Sequence, residues 1–196
     1  MCARFELSAP PGDLAHRFGL RIFPDFPPAP DLRPTNRVPV VESEGARLLS
    51  WGLPAPWDGK PLINARSETL TQKVTFKPLL EHRCLVPATA YFEWRRDGRL
   101  RIKNRIAPAA GSVAGGVMAF AGLTDGTYVT IVTCAPAPGI AHIHNRMPVI
   151  LANDAEAAWI DPDRPFPTVA PLLTPFAGAL EALEDTPPPP AQGSLF

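Results

Sequence analysis

The amino-acid sequence predicts a single, strand-rich domain of the α+β class. Short apolar or alternating runs outnumber the helical patterns, and strands and helices do not alternate as they would in a parallel α/β sheet. The chain has 196 residues, of which 45% are hydrophobic and 19% are charged, and this is enough to bury one core. Its 26 prolines lie mostly outside the predicted strands and indicate many pre-set turns.

The N-terminal part of the chain predicts one short helix and one hairpin. Residues 13–18 show a helical pattern, in which Asp13 is the candidate N-cap and Gly19 is the C-terminal stop. Two strand-like runs, 38–42 and 47–51, flank a short turn-forming segment. Their spacing predicts an antiparallel hairpin.

The middle of the chain predicts a helix followed by a series of strands. Apolar residues fall at helical spacing within residues 68–80, and Pro78 limits how far that helix extends. Five short runs with strand character come next, separated by turns that contain glycine. They are residues 84–86, 90–95, 100–103, 117–121 and 128–134.

The C-terminal part predicts two further helices and a tail. Residues 153–160 begin with a capping-box pattern, and residues 176–184 form the last predicted helix. We therefore expect one domain over residues 2–185. Residues 186–196 are expected to form a proline-rich, flexible tail in which four consecutive prolines act as an extended spacer.

Composition argues against several classes of protein. Three scattered cysteines provide neither a disulfide framework nor the paired spacing of a zinc site, so we expect a reducing cytoplasm, no metal and no cofactor. There is no apolar run of about eighteen residues and no signal-peptide pattern, which argues against a membrane protein. The formal net charge of zero argues against indiscriminate binding to nucleic acids.

Basic residues are nevertheless concentrated in one segment. They are Arg95, Arg96, Arg99, Arg101, Lys103 and Arg105. Asp97 and Gly98 form a turn signal between alternating residues, which predicts a hairpin. A solvated hairpin explains this basic run better than direct contact of all six side chains with DNA.

Four short segments carry most of the functional information. They are Met1-Cys2-Ala3-Arg4-Phe5, Asn64-Ala65-Arg66-Ser67-Glu68-Thr69, Tyr91-Phe92-Glu93-Trp94 and His142-Ile143-His144-Asn145-Arg146-Met147-Pro148. Together they resemble the SOS-response-associated peptidase (SRAP) family. The resemblance implies a distorted, barrel-like sheet with a few short helices, and covalent attachment to abasic sites in single-stranded DNA. Ala3 departs from the family pattern, which usually has glycine at this position.

Cys2 is the candidate nucleophile. Removal of Met1 would leave an α-amine and a thiol on adjacent carbons, and such a 1,2-aminothiol traps aldehydes. The amine forms a Schiff base, and the thiol of the same residue then closes on the imine carbon to give a five-membered thiazolidine. The opened sugar of an abasic site presents an aldehyde of this kind.

The resemblance assigns three further residues to the chemistry. Glu93 lies between two aromatic residues in a strand-like run, where burial would raise its pKa toward the range useful for proton transfer; an exposed ion pair is the alternative. The His144 imidazole can accept and donate protons near neutral pH, and the Asn64 amide can donate to the carbinolamine or simply form a turn. His142 and His144 would share a face of an extended segment, but no third ligand supports a metal site.

Seven residues are candidate DNA contacts. They are Arg4, Arg66 and Arg146 for phosphates, Trp51 and Trp94 for stacking with unpaired bases, and Thr133 and Lys73 for the lesion or a phosphate. For Trp51, a place in the core is the stronger alternative. Because no base is stacked at an abasic site, we expect binding to single strands or to junctions with duplex DNA.

The last five residues, Gln192-Gly193-Ser194-Leu195-Phe196, resemble the peptide by which bacterial proteins bind the replication sliding clamp. The clamp is therefore a candidate partner at the replication fork, in addition to single-stranded DNA with abasic sites. We expect the protein to be a monomer.

Two other functions remain open at this stage. Cys2 could serve as the N-terminal nucleophile of a thiol-dependent peptidase or amidohydrolase. The chain could also bind DNA without any chemistry. The crosslinking function needs both the thiol and the amine of Cys2, the peptidase needs mainly the thiol, and the binding module needs neither.

Overall fold

The structure, a computed structural model, describes residues 2–55, 57 and 59–185, and strands are the predominant regular element there. The strands are β1 (Phe5–Leu7), β2 (Ala29–Leu32), β3 (Arg37–Glu42), β4 (Gly45–Trp51), β5 (Asn64–Arg66), β6 (Arg83–Ala88), β7 (Ala90–Asp97), β8 (Leu100–Pro108), β9 (Met118–Thr124), β10 (Tyr128–Cys134), β11 (Met147–Pro148) and β12 (Leu180–Asp185). The α-helices are α1 (Pro11–Arg17), α2 (Asn153–Ile160) and α3 (Phe166–Val169). Short 3-10 helices span Ser67–Thr69, Lys77–Leu79, Ala114–Gly116, Pro138–Ile140 and Ala170–Leu172.

Five strands close into a barrel, which confirms the predicted barrel-like sheet of a β-rich α+β domain. β4 pairs with β3, β3 with β6, β6 with β9 and β9 with β10, all antiparallel. β10 then runs parallel to β4, with Val129 opposite Trp51, and this pairing closes the ring. β5 and β11 pair with the second half of β10. All seven residues of β9 are buried, as expected for a strand that is covered on both faces.

A second sheet, with strand order β12-β8-β7-β1-β2, packs against the barrel. β7 and β8 form a hairpin that turns at Gly98, whose φ of 56° favours glycine. Phe5 of β1 packs edge-on against Trp51 of the barrel, with ring centroids 5.0 Å apart. Its ring also lies 6.1 Å from that of Phe120, so β1 is anchored in the core.

Two predicted helices are wrong. Residues 68–80 form turns and two 3-10 helices, and Val74, which the helical pattern placed on an apolar face, is 84% exposed. Residues 176–184 contain β12, which pairs with β8 from Leu180 opposite Pro108 to Asp185 opposite Lys103. Pairing along the open edge of a sheet outweighs the helix propensity of this leucine-, alanine- and glutamate-rich segment.

The other predicted elements are confirmed, with shifts at their ends. α1, the β3–β4 hairpin, β6 to β10 and α2 all lie where the sequence places them. The caps differ, because Pro10 rather than Asp13 precedes α1, and Ala152 precedes α2. Glu156 does not close a capping box; its buried carboxylate accepts a hydrogen bond of 2.9 Å from Arg17.

Residues 186–196 lie outside the described residues. The flexible tail, its proline spacer and the clamp-binding peptide therefore stay predictions. Within the described part of the chain, no helix is long and apolar enough to cross a membrane.

The side chain of Arg83 joins α2 and the following loop to the barrel. Its guanidinium is buried and donates hydrogen bonds to the carbonyl oxygens of Trp159, Asp161 and Arg164 at 2.6 to 2.7 Å. A further bond of 2.7 Å reaches the Glu81 carboxylate. One buried cation thus joins three backbone carbonyl groups of α2 and the loop that follows it.

We predict that Arg83→Ala lowers the free energy of unfolding by about 3 kcal/mol or more, because the buried Trp159 carbonyl and two neighbouring carbonyls lose a donor and the Glu81 ion pair is broken. Chemical denaturation of both proteins measures the difference. Arg33→Ala is the control, since Arg33 is 61% exposed and its ion pair with Asp31 is expected to contribute less than about 1 kcal/mol. A similar small loss for both variants would contradict the anchoring role.

Candidate active site

Four segments that are distant in sequence meet beside the start of β1. Cys2 precedes β1 and Glu93 lies in β7, so the pairing of these two strands carries the N-terminus toward the glutamate. Asn64 begins β5, and His144 precedes β11. Because β5 and β11 both pair with β10, this strand fixes the positions of the other two segments. The structure thus brings the four predicted catalytic residues together.

Cys2 is fully buried and is held by its backbone. The Asn64 side-chain amide donates a hydrogen bond of 2.8 Å to the Cys2 carbonyl oxygen. The Cys2 thiol lies 3.7 Å from the carbonyl oxygen of Arg4, to which it donates. Among the described residues, the buried Asn64 Oδ1 has no hydrogen-bond partner. Asn64 therefore fixes the backbone beside the nucleophile and keeps one acceptor available there.

Glu93 and His144 face each other next to this cysteine. Glu93 is only 3% exposed, and its Oε1 lies 3.8 Å from His144 Nδ1, an ion-pair distance. The same Nδ1 lies 3.1 Å from the backbone nitrogen of Arg146, which donates to it. This backbone contact orients the imidazole, with its Nδ1 edge toward the Glu93 carboxyl.

Burial makes ionisation of Cys2 and of Glu93 costly. Removal from water raises the pKa of the Cys2 thiol, and the charge of Glu93 raises it further. Burial also raises the pKa of Glu93, against the opposing effect of the His144 charge. The environment therefore favours a neutral thiol and a carboxyl that keeps its proton to a higher pH than usual. Such a site suits chemistry that moves protons between groups better than chemistry that needs a resident thiolate.

Tyr91 is a member of the cluster that sequence reasoning missed. It lies two residues before Glu93, so both side chains leave β7 on the same face. Its hydroxyl is buried and has no hydrogen-bond partner among the described residues. Burial raises its pKa, and the charges of Cys2 and Glu93 add to the effect. The two-residue spacing was the signal that could have identified it.

Two carboxylates hold two of the three predicted phosphate-binding arginines, Arg4 and Arg146. Asp31 accepts two hydrogen bonds from the Arg4 guanidinium, at 2.7 and 2.8 Å, and these lower the pKa of Asp31 to about 2. Glu68 accepts bonds of 2.6 and 2.9 Å from Arg146, which lower the pKa of Glu68. Sequence reasoning missed both partners. No local pattern signals Asp31, whereas Glu68 lies within the segment that begins at Asn64.

Known proteins resemble the chain along nearly its whole length. Residues 1–186 match the model of the SOS response associated peptidase (SRAP) family. The chain belongs to this family. It is 35% identical to the abasic site processing protein YoaM of Bacillus subtilis, over 94% of this chain and 90% of that protein. It is 33% identical to the abasic site processing protein YedK of Escherichia coli, over 82% and 79% of the two chains. A solved structure of a protein from Bacteroides thetaiotaomicron matches with a TM-score of 0.77 at 25% identity, covering 93% of this chain and 91% of that one.

Three of the predicted DNA contacts of this SRAP protein are accessible to a ligand. Arg66 and Lys73 are exposed and form no ion pair within the described part of the chain. Trp94 is half-buried, and the guanidinium groups of Arg4 and Arg101 lie 5.6 and 5.9 Å from the centre of its ring. A base that stacks on Trp94 would share this ring with the two arginines.

Two of the predicted DNA contacts are corrected by the structure. Trp51 is fully buried, packs against Phe5 and donates a 3.0 Å hydrogen bond to the carbonyl oxygen of Ile63, so no base can stack on it. The Thr133 side chain is also fully buried, and its hydroxyl accepts a bond of 3.3 Å from Arg146. This bond helps to hold the Arg146 guanidinium in place.

His142 does not share a face with His144. The segment is not extended; it follows the 3-10 helix Pro138–Ile140 as a turn, and His142 is exposed. Across the described residues, no group of three histidine, cysteine, aspartate or glutamate side chains is arranged to hold a metal ion.

We predict that Glu93→Gln stabilises the protein more at pH 8 than at pH 4.5. Because the pKa of Glu93 is raised in the folded state, its favourable contribution is complete below the unfolded pKa and is lost as the pH rises through the folded pKa. The glutamine variant avoids this loss. Thermal unfolding of both proteins across this pH range provides the measurement.

Glu68→Gln is the matched control for this prediction, with the opposite sign. The pKa of Glu68 is lowered by Arg146, so its contribution is present at neutral pH and is lost as the pH falls. The same pH trend in both variants would contradict the assignment of a buried, proton-holding carboxyl to Glu93.

Proposed function

We propose that this chain recognises abasic sites in single-stranded DNA and joins Cys2 covalently to the lesion. The observation that carries the proposal is the meeting of Cys2 with Asn64 and with the facing pair Glu93 and His144 in one buried cluster. Relatives that resemble most of the chain are named abasic site processing proteins, which supports an abasic site as the substrate. The attachment as a thiazolidine is the finer part of the proposal.

The reaction starts from the α-amine that removal of Met1 leaves on Cys2. The amine adds to the aldehyde of the opened sugar, and the carbinolamine loses one water to give an imine. The thiol then adds to the imine carbon, so that a carbon–sulfur bond forms and the thiol proton passes to the nitrogen. The product is a thiazolidine, and no oxidant or reductant is needed.

Glu93 and His144 are positioned to move the protons in these steps. Dehydration of the carbinolamine needs an acid beside the departing hydroxyl, and burial raises the pKa of Glu93, which favours the protonated carboxyl in this role. Attack by the thiol needs an acceptor for its proton, because burial keeps the thiol neutral. Asn64 holds the Cys2 backbone, which limits the freedom of the reacting residue.

Basic residues around the cluster would hold the phosphates of the strand. Arg4 is two residues from Cys2, and Arg146 is two residues from His144, so each connects a phosphate contact to a reacting group. Arg66 and Lys73 offer exposed cations on the neighbouring segment. Binding to phosphates positions the strand, while the absence of a base admits the N-terminus to the sugar.

A thiol-dependent peptidase or amidohydrolase is the alternative that the family name supports. This function needs the thiol of Cys2 but not a free α-amine. Cleavage of a peptide by protein that has lost Met1 but whose α-amine is chemically blocked would therefore favour the alternative. Adduct formation that depends on loss of Met1 would favour the crosslinking function.

We predict that Cys2→Ala abolishes the heat-stable adduct with an abasic single-stranded oligonucleotide. The variant keeps an α-amine, so borohydride should still trap its Schiff base. A denaturing gel with and without reductant separates the two products, and intact mass confirms the loss of Met1. A heat-stable adduct of the alanine variant without reductant would rule out the thiazolidine.

We predict that Glu93→Gln and His144→Ala slow adduct formation by roughly 10²- to 10⁴-fold at saturating DNA, because each removes a group that transfers protons. Affinity for an intact single strand should change little. His142→Ala is the control, since this exposed histidine lies two residues from His144 but outside the cluster. Rates within about twofold of the wild type for both catalytic variants would assign the two residues to structure alone.

A further inference from the structure

The β7–β8 hairpin presents one face on which cations and aromatic rings alternate. We define this hairpin face by Phe92, Trp94 and Arg96 of β7 and by Arg101, Lys103 and Arg105 of β8. We propose that the hairpin face binds the phosphodiester backbone of the single strand that flanks the lesion. The inference rests on the proposed function and extends the DNA interface away from Cys2.

The register of the hairpin puts these six side chains on the same side of the sheet. Residues directly opposite each other share a face, and the pairs here are Phe92 with Arg105, Trp94 with Lys103 and Arg96 with Arg101. Arg95 is opposite Ile102 and therefore faces the other side, together with Glu93. Because side chains alternate along each strand, the basic residues of the hairpin are divided between its two faces. Only one of these faces also carries the aromatic rings.

Contacts between cations and rings confirm this arrangement. The Lys103 ammonium lies 4.3 Å from the centre of the Phe92 ring, and the Arg101 guanidinium lies 5.9 Å from that of Trp94. Such contacts are individually weak, but they restrict where the ends of long side chains lie. A cation held over a ring keeps its outward donors available, which suits contact with a phosphate.

Two cations of the hairpin face, Arg96 and Arg101, form no ion pair with a carboxylate of the residues that the structure describes. Lys103 pairs with Asp185 at 2.6 Å, and Arg105 pairs with Glu6 at 2.8 Å. Arg96 and Arg101 are exposed, and neither forms an ion pair with another described residue. A polyanion therefore meets a net positive surface toward the turn of the hairpin, although the whole chain is neutral.

Arg4 links the hairpin face to the site of chemistry. Its carbonyl oxygen accepts a 3.0 Å hydrogen bond from the backbone of Phe92, and its guanidinium lies 5.9 Å from the Phe92 ring and 5.6 Å from that of Trp94. Residues of β7 beyond Phe92 do not pair with β1, because β1 starts at Phe5. A DNA strand whose phosphate contacts Arg4 can therefore continue past the Trp94 ring toward Arg101. The distance from Trp94 to the end of β7 is about 10 Å, given about 3.4 Å per residue.

The test compares two double variants that remove the same charge from the same hairpin. The first variant, Arg96→Ala with Arg101→Ala, removes the two cations of the hairpin face that form no ion pair with a described residue. The control variant, Arg95→Ala with Arg99→Ala, removes one cation from the opposite face and one from the turn. Fluorescence anisotropy with an intact single-stranded oligonucleotide, titrated at several salt concentrations, gives affinity and salt dependence. Thermal unfolding confirms that each variant is folded.

We expect the first variant to reduce the slope of the logarithm of the binding constant against the logarithm of the salt concentration by about 1.4. This corresponds to about 0.7 for each lost phosphate contact on single strands. The control variant should keep the wild-type slope, and an oligonucleotide of only a few nucleotides should show no difference between the proteins. A wild-type slope in the first variant, or equal reductions in both, overturns the inference. If wild-type protein forms no adduct with an abasic strand, the proposed function fails, while the slopes still decide whether the hairpin face binds DNA.

Discussion

The pairing of β1 with β7 is the constraint on which the rest of this structure depends. Phe5 lies opposite Tyr91 and packs in the core between Trp51 and Phe120. This packing fixes the register in which the N-terminal segment lies against β7. Three residues earlier, the chain has no freedom to place Cys2 anywhere except beside Glu93. A reactive residue next to a chain terminus would ordinarily fray. Here the packing of Phe5 in the barrel core holds this short segment in one position.

The same anchoring explains why the site is electrostatically costly. Cys2, Tyr91 and Glu93 are all withdrawn from water within a few residues of one strand, and burial raises the pKa of each. A core selected for stability alone would place apolar side chains at these positions. Retaining polar groups with few partners is typical of sites where stability is exchanged for chemistry. The buried network around Arg83, by contrast, satisfies its acceptors and serves only the fold.

Sequence reasoning succeeded where the pattern is local and failed where distant partners decide. Period-two alternation located β6 to β10, and short segments located the four residues of the cluster. The segment at 176–184 has helix-forming residues, yet the open edge of β8 makes it a strand. Trp51 and Thr133 carry groups that could contact DNA, but burial by Phe5, Ile63 and Arg146 decides their roles. Asp31 lies 27 residues from Arg4, so only the fold could reveal the pair.

The carboxylates that pair with Arg4 and Arg146 affect which anions these two arginines can bind. A guanidinium donates to both oxygens of a carboxylate in a planar geometry that a phosphate also accepts, so Asp31 and Glu68 hold the two arginines in a fixed orientation. Both carboxylates are partly exposed, at 30% and 52%, so the ion pairs add little stability and can be exchanged at little cost. Without a strand, the carboxylates cancel the positive charge at the site. Under the proposed function, a strand that presents phosphates to both Arg4 and Arg146 would replace both carboxylates, whereas an isolated anion would replace only one of them.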